Sequence, residues 1–84
     1  MSNLSKSRIL WQSRRGMLEL DLLLGPFVQY CYETLTREQQ LLYQEFLTHE
    51  DQELYAWLLL TQKPHNKAFN ALIRQILENP KRSS

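Results

Sequence analysis

An all-α single domain is what this sequence predicts, and three observations predict it. Apolar residues recur three and four positions apart in segment after segment, nowhere do they alternate as on a half-buried strand, and only 2 glycines and 3 prolines are present to interrupt helices. At 84 residues there is room for one domain. Its core is thin, because a chain of this size buries roughly 60–65% of the surface it exposes when unfolded. With 43% apolar and 23% charged residues the balance is globular rather than disordered. The expected architecture is a compact five-helix domain over residues 1–84, frayed at 1–4 and 80–84.

The first helix is expected to open at Ser5, a good N-cap, and to run through Ile9, Leu10 and Trp11 to about Arg15. Arg14 and Arg15 then sit at its carbonyl end, where cations are favoured. Gly16 stops it, since a left-handed residue after a helix costs glycine little. In the next stretch Met17, Leu20, Leu24, Phe27 and Cys31 share one face. Gly25-Pro26 interrupts that stretch: proline lacks the amide proton and clashes with the preceding turn, which predicts a kink or a division into two short helices.

Thr36 followed three residues later by Gln39 is a capping-box pattern, which places a third helix over residues 37–48 with Leu42, Tyr43, Phe46 and Leu47 facing inward. Asp51 reads as the N-cap of a short fourth helix carrying Leu54, Tyr55, Trp57, Leu58 and Leu59. Residues 62–66 form a loop. A last helix, capped by Asn66, presents Phe69, Leu72, Ile73, Ile76 and Leu77 before Pro80 ends it.

Charge and cysteine content narrow the function. Ten Lys and Arg against nine Asp and Glu leave a formal net charge of +1, which argues against a nucleic-acid backbone as the main partner. The charges are unevenly placed, with Lys6, Arg8, Arg14 and Arg15 early and Glu45, Glu50, Asp51 and Glu53 in the middle, a distribution suited to steering toward a charged protein patch. The single cysteine, Cys31, forms no internal disulfide and fits a reducing compartment. The apolar runs at 22–25 and 56–60 are too short to cross a bilayer, and no export signal is visible, so a cytoplasmic protein is expected.

A catalytic centre is hard to assemble from these residues. Cys31 lies on the apolar stripe with His49 and His65 remote in sequence, which reads as a structural thiol rather than a nucleophile beside its base. Glu45 and His49, four apart with Glu50, Asp51 and Glu53 close behind, sketch a metal half-site, but such pairs commonly sit at solvated helix ends. Gly16 and Gly25 stand alone, so there is no glycine-rich loop to hold a nucleotide, and no cofactor is expected to be bound stably. Arg8, Trp11, Arg14 and Arg15 combine basic and aromatic groups as a nucleic-acid surface would. The plainer alternative has Trp11 half buried and the arginines solvated.

The segment that core packing alone does not explain is Arg15-Gly16-Met17-Leu18-Glu19-Leu20-Asp21. Gly16 ends one helix and lets the next begin at once, bringing Arg15 close to Glu19. Arg8, seven residues before Arg15, shares its face. A charged ledge containing one methionine follows, or else a plain surface pair across a tight corner worth about 0–1 kcal/mol.

Arg15-Gly16-Met17-x-Glu19-Leu20-Asp21, followed by Pro26-Phe27, Tyr32 and Leu35, resembles the SdhE family of flavinylation and assembly factors for succinate dehydrogenase and fumarate reductase. The run L-T-H-E-D-Q-E-L-Y-A-W-L at 47–58 looks like that family's acidic helix start, and Lys63-Pro64 falls where it has the loop before its last helix. The resemblance implies a five-helix fold and a role in covalent attachment of FAD to the flavoprotein subunit. In that chemistry the flavoprotein joins its own histidine to the flavin, and the small factor acts as a chaperone rather than an enzyme. FAD is then the partner's cofactor.

Carried over residue by residue, the family's functional motif falls on Arg15, Gly16 and Glu19, with Met17 and Asp21 beside them and Arg8, Asp51 and Trp57 as further partner-binding candidates. Position 18 departs from the pattern, being Leu where the family often has a polar residue. That makes the ledge more apolar, or Leu18 packs on a neighbour. Exposed apolar surface there would support weak self-association of an otherwise monomeric chain. The absence of a targeting extension fits a bacterial cytoplasmic member. Competing readings are a generic helical protein- or nucleic-acid-interaction module built on Arg8, Trp11, Arg14 and Arg15, and a small enzyme built on Glu45, His49 and Cys31.

Overall fold

The structure, a computed structural model, describes residues 6–79. Five α-helices follow one another: α1 (Lys6–Gln12), α2 (Leu18–Cys31), α3 (Arg37–Phe46), α4 (Asp51–Leu59) and α5 (Ala68–Leu77), with a 3-10 turn, Tyr32–Thr34, after α2. No strand occurs among the described residues, as expected for an all-α chain. The Ser5 cap, Pro80 and the frayed ends proposed at 1–4 and 80–84 lie outside the described residues.

The first helix is shorter than its pattern suggests, ending at Gln12 rather than near Arg15. Ser13 is the reason. Its hydroxyl donates to the Ile9 carbonyl at 2.8 Å and shares a 2.7 Å hydrogen bond with the Tyr43 phenol, so the side chain competes with the helix ladder and fastens the helix end to α3. The backbone tightens there, Arg14 N–H reaching the Trp11 carbonyl at 3.2 Å. Arg14 and Arg15 therefore lie beyond the helix. Gly16, at φ +78°, is left-handed as expected, but within the connecting loop rather than directly at the helix end.

Of the kink or division expected at Gly25-Pro26, the division does not occur: Pro26 lies inside one 14-residue helix. Two effects keep the helix whole. A proline crowds the Cβ of the residue before it, and Gly25 has none. Leu20, Leu23, Leu24, Phe27 and Val28 are buried on both sides of the break. At about 1.5–3 kcal/mol for each large side chain, their burial outweighs the roughly 3 kcal/mol an interior proline costs.

Thr36 caps α3 through the capping box read from the sequence, its Oγ1 accepting from Gln39 N–H at 3.1 Å while Thr36 N–H donates to Gln39 Oε1 at 2.9 Å. The helix ends two residues earlier than expected, at Phe46. At α4 the cap is Glu50, not Asp51: Glu50 N–H donates to Glu53 Oε1 at 3.4 Å, and Asp51 becomes the first helical residue. Asn66 serves α5 as expected in substance, its Oδ1 accepting from Ala68 N–H at 3.0 Å, although Lys67 holds the N-cap position.

The core lies where α2, α3, α4 and α5 meet. Leu20, Leu24, Phe27 and Val28 pack with Tyr43, Phe46, Leu54, Leu58, Phe69, Leu72 and Ile76, all buried. Aromatic rings run through it, Phe27 to Tyr43 at 5.4 Å, Phe46 to Phe69 at 5.4 Å and Phe46 to Trp57 at 5.8 Å, spacings at which ring pairs add to plain burial.

Thr61, just after α4, has φ 57°, a left-handed conformation that a β-branched residue adopts only under strain. Thr61→Gly is expected to raise stability by about 1 kcal/mol, read as a higher urea midpoint at unchanged slope. Burial pushes the Tyr43 phenol above the usual tyrosine range, against the opposing pulls of the Ser13 hydrogen bond and the Arg15 charge. The unfolded phenol titrates near pH ~10. The stability gained by keeping it neutral is therefore complete below that value and is lost as pH rises above it. Tyr43→Phe should cost about 1 kcal/mol at pH 8, and the gap to wild type should narrow as urea midpoints are measured up to pH ~11.

Candidate functional site

The loop between α1 and α2 is built by three hydrogen bonds. Arg15 N–H donates to Asp21 Oδ1 at 2.8 Å, Asp21 N–H donates to the Met17 carbonyl at 3.0 Å, and Ser13 holds the end of α1 as described. Asp21 thus closes the corner from inside the first turn of α2, where an acidic side chain also meets the positive end of the helix dipole.

Arg15 is turned inward. Its Nη2 donates to the Leu47 carbonyl at the end of α3, and its Nη1 lies 3.7 Å from Asp51 Oδ1 at the start of α4. The pairing with Glu19 expected from the tight corner is not formed; the partners of Arg15 come from a different part of the chain. Position explains this: Arg15 lies beyond α1, and Leu47 and Asp51 flank the α3–α4 connection that packs behind it.

The outward side of the corner has the opposite character. Gly16 and Glu19 are exposed, Met17 is half-buried against the core, and a Cβ built on Gly16 would meet nothing within 4 Å. Glu19 has no hydrogen-bond or ion-pair partner among the described residues. Next to this ledge lie the most exposed apolar groups of the corner, of which only Leu22 is not among the residues singled out from the sequence. Trp11 is 74% exposed, Leu18 69% and Leu22 42%, which corrects the expectation that Trp11 is half buried and settles that Leu18 faces out.

Trp11, Leu18, Leu10, Arg14 and Gly25 line an open groove of about 580 Å³ between α1 and α2. Trp11 and Leu18, left in water along a groove that Gly25 also lines, with Leu22 exposed one turn on from Leu18, make a surface of the kind used for protein contact. Leu18 and Leu22 are four apart and so adjacent on α2; that spacing, on the side opposite Leu20 and Leu24, was the signal available in the sequence.

The remaining candidates are distributed differently. Arg8 is exposed on α1 one turn before Trp11. Among the described residues, Asp51 is joined to the corner through Arg15. Trp57 belongs to another group of side chains, its ring 5.8 Å from Phe46, 5.7 Å from Phe69 and 4.9 Å from His49. His49 pairs with Glu53 at 3.2 Å rather than with Glu45. No group of three or more metal-ligating side chains is present among the described residues. Cys31 is half-buried, its thiol directed at Asn79 Oδ1 at 3.5 Å.

A family model described as the flavinator of succinate dehydrogenase matches residues 7–80. The chain belongs to this family, which includes SdhE. It is 48% identical over 67 residues to the FAD assembly factor SdhE of Legionella pneumophila, covering 80% of this chain and 85% of that protein. It is 42% identical over 71 residues to the FAD assembly factor SdhE of Pseudomonas aeruginosa, covering 84% of each. With the FAD assembly factor SdhE of Colwellia psychrerythraea the match is 39% over 77 residues, 92% of this chain and 85% of that one. The SdhE family named from the Arg15–Asp21 motif is thereby the family of the chain, and the five-helix frame is the fold on which that motif is carried.

Proposed function

We propose that this chain is an FAD assembly factor that binds the flavoprotein subunit of succinate dehydrogenase and promotes covalent attachment of its FAD, acting as a chaperone and not as a catalyst. The observation that carries this reading is the family match along residues 7–80. The exposure of the α1–α2 corner supports a contact there. Gly16, Met17, Leu18 and Glu19 with Trp11 form the contact surface, Arg8 lies at its edge, and Arg15, Asp21 and Asp51 brace it; Trp57 contributes through the core under α4.

The physical role is a shift of population. The flavoprotein supplies the histidine that joins to the flavin, and a partner that binds the attachment-competent conformation more tightly than the others raises its share by that difference in affinity. Gly16 lets a partner backbone approach closely, Trp11 and Leu18 lose water on contact, and Glu19 offers a carboxylate to a donor on the flavoprotein. The fumarate reductase flavoprotein, which attaches FAD in the same way, is the second partner.

The test is co-expression of the chain, its Glu19→Ala variant, or neither, with each flavoprotein subunit, followed by in-gel flavin fluorescence after denaturation. Flavin attachment that rises with the chain and falls back with Glu19→Ala supports the reading. Attachment indifferent to both sinks it, and salt-dependent RNA or DNA binding would favour the nucleic-acid module instead.

A further inference from the structure

Arg15 belongs to the segment that names the family, yet its side chain is only 16% exposed. Among the described residues, its ties run backward into the fold: Nη2 to the Leu47 carbonyl, Nη1 to Asp51 at 3.7 Å, and the backbone N–H to Asp21 Oδ1 at 2.8 Å. Its Nε is buried with no hydrogen-bond partner among the described residues. The carbonyl it grips follows the last turn of α3, where the helix dipole is negative, and the carboxylate opens α4. One guanidinium therefore joins the α1–α2 corner to the α3–α4 corner.

Gly16 comes next in the chain and has no such support of its own. It has no side chain, its φ is +78°, and the space around it is open. Glycine is free to leave that conformation at little cost. What fixes the direction in which Gly16 and Glu19 are presented is the pair of anchored residues on either side, Arg15 before and Asp21 after.

We infer that Arg15 is a positioning residue: anchored by Asp51 and the Leu47 carbonyl, it holds Gly16 and Glu19 in the geometry the flavoprotein meets, without touching the flavoprotein itself. This rests on the docking role proposed above. It places Asp51 in the same unit, although Asp51 lies on a different helix from the contact surface.

The experiment is a double-mutant cycle on the purified full chain, with wild type, Arg15→Gln, Asp51→Asn and the double variant. Affinity for the purified flavoprotein subunit is measured for each, and the Gly16 amide of the free, folded chain is followed by NMR. Each single variant is expected to weaken binding by about tenfold and the double variant by about tenfold also, not the about hundredfold of independent sites. The Gly16 amide should move in both singles, and Arg15→Lys, which keeps a cationic donor, should recover part of the affinity.

If Asp51→Asn binds like wild type while Arg15→Gln does not, or if the two losses multiply, Arg15 contacts the partner directly and the inference is overturned. The same follows if the Gly16 amide stays in place in both singles. A wild-type chain that fails to bind the flavoprotein overturns the docking proposal itself, and the positioning role with it.

Discussion

Gly16→Arg is expected to abolish the effect of the chain on flavin attachment while leaving the helices intact. The substitution places a long cation at an exposed point where a Cβ meets nothing within 4 Å, so the folded chain has room for it. The cost to the fold is the left-handed backbone at φ +78°, about 1 kcal/mol for a residue with a Cβ. The cost to docking is much larger, because a side chain of that length holds a partner surface away from Trp11, Leu18 and Glu19 together.

A loss of at least about a hundredfold in affinity, some 2.7 kcal/mol, is the expected size. Gly16→Asn separates the two costs. Asparagine tolerates the left-handed region and is short, so it should retain most of the activity. Helical circular dichroism and a urea midpoint lowered by no more than this backbone cost of about 1 kcal/mol, with covalent flavin at the level seen without the chain, is the outcome that matches this account for Gly16→Arg. Retained flavin attachment in that variant would mean that the partner sits elsewhere.

Trp11→Ala is expected to have the second largest effect and the opposite profile to a core substitution. With 74% of its surface in water, the indole contributes little to folding, and stability should change by no more than about 0.5 kcal/mol. At an interface the same ring is a typical anchor, and its truncation should cost about 2 kcal/mol or more of binding, close to thirtyfold in affinity. Leu18→Ser should act in the same direction and less strongly. A Trp11→Ala chain that unfolds easily but binds normally would show the ring to be a packing element after all.

The parts of the fold legible in the sequence are those whose causes are local. The Thr36/Gln39 capping box starts α3 at Arg37, Gly16 takes the left-handed conformation, and the apolar stripe of α5 is buried at Phe69, Leu72, Ile73 and Ile76. Each is decided by residues within a turn of one another. The departures have distant causes. The end of α1 is set by Tyr43, thirty residues away, through Ser13; the continuity of α2 across Pro26 is set by burial against three other helices. Arg15 could not be assigned its partners from spacing, because Leu47 and Asp51 become its neighbours only when α3 and α4 pack behind the corner. The strained Thr61 has no signature at all, since the chain places threonine where glycine is usual.

The site shows the same division. The motif from Arg15 to Asp21 was visible, but which of its residues look outward was not. Side chains that carry one motif in the sequence divide in space into a presented set, Gly16, Leu18 and Glu19, and a bracing set, Arg15 and Asp21. Trp11 and Leu22 joined the presented set only through their exposure.

The central claim is that a flavoprotein subunit seats on the α1–α2 corner and not on the connection between α4 and α5, and amide hydrogen exchange of the chain with and without that subunit tests it most directly. Protection on binding is predicted in peptides spanning residues 11–22, with residues 60–67 exchanging as in the free chain. Protection confined to 60–67, or none anywhere, would contradict it.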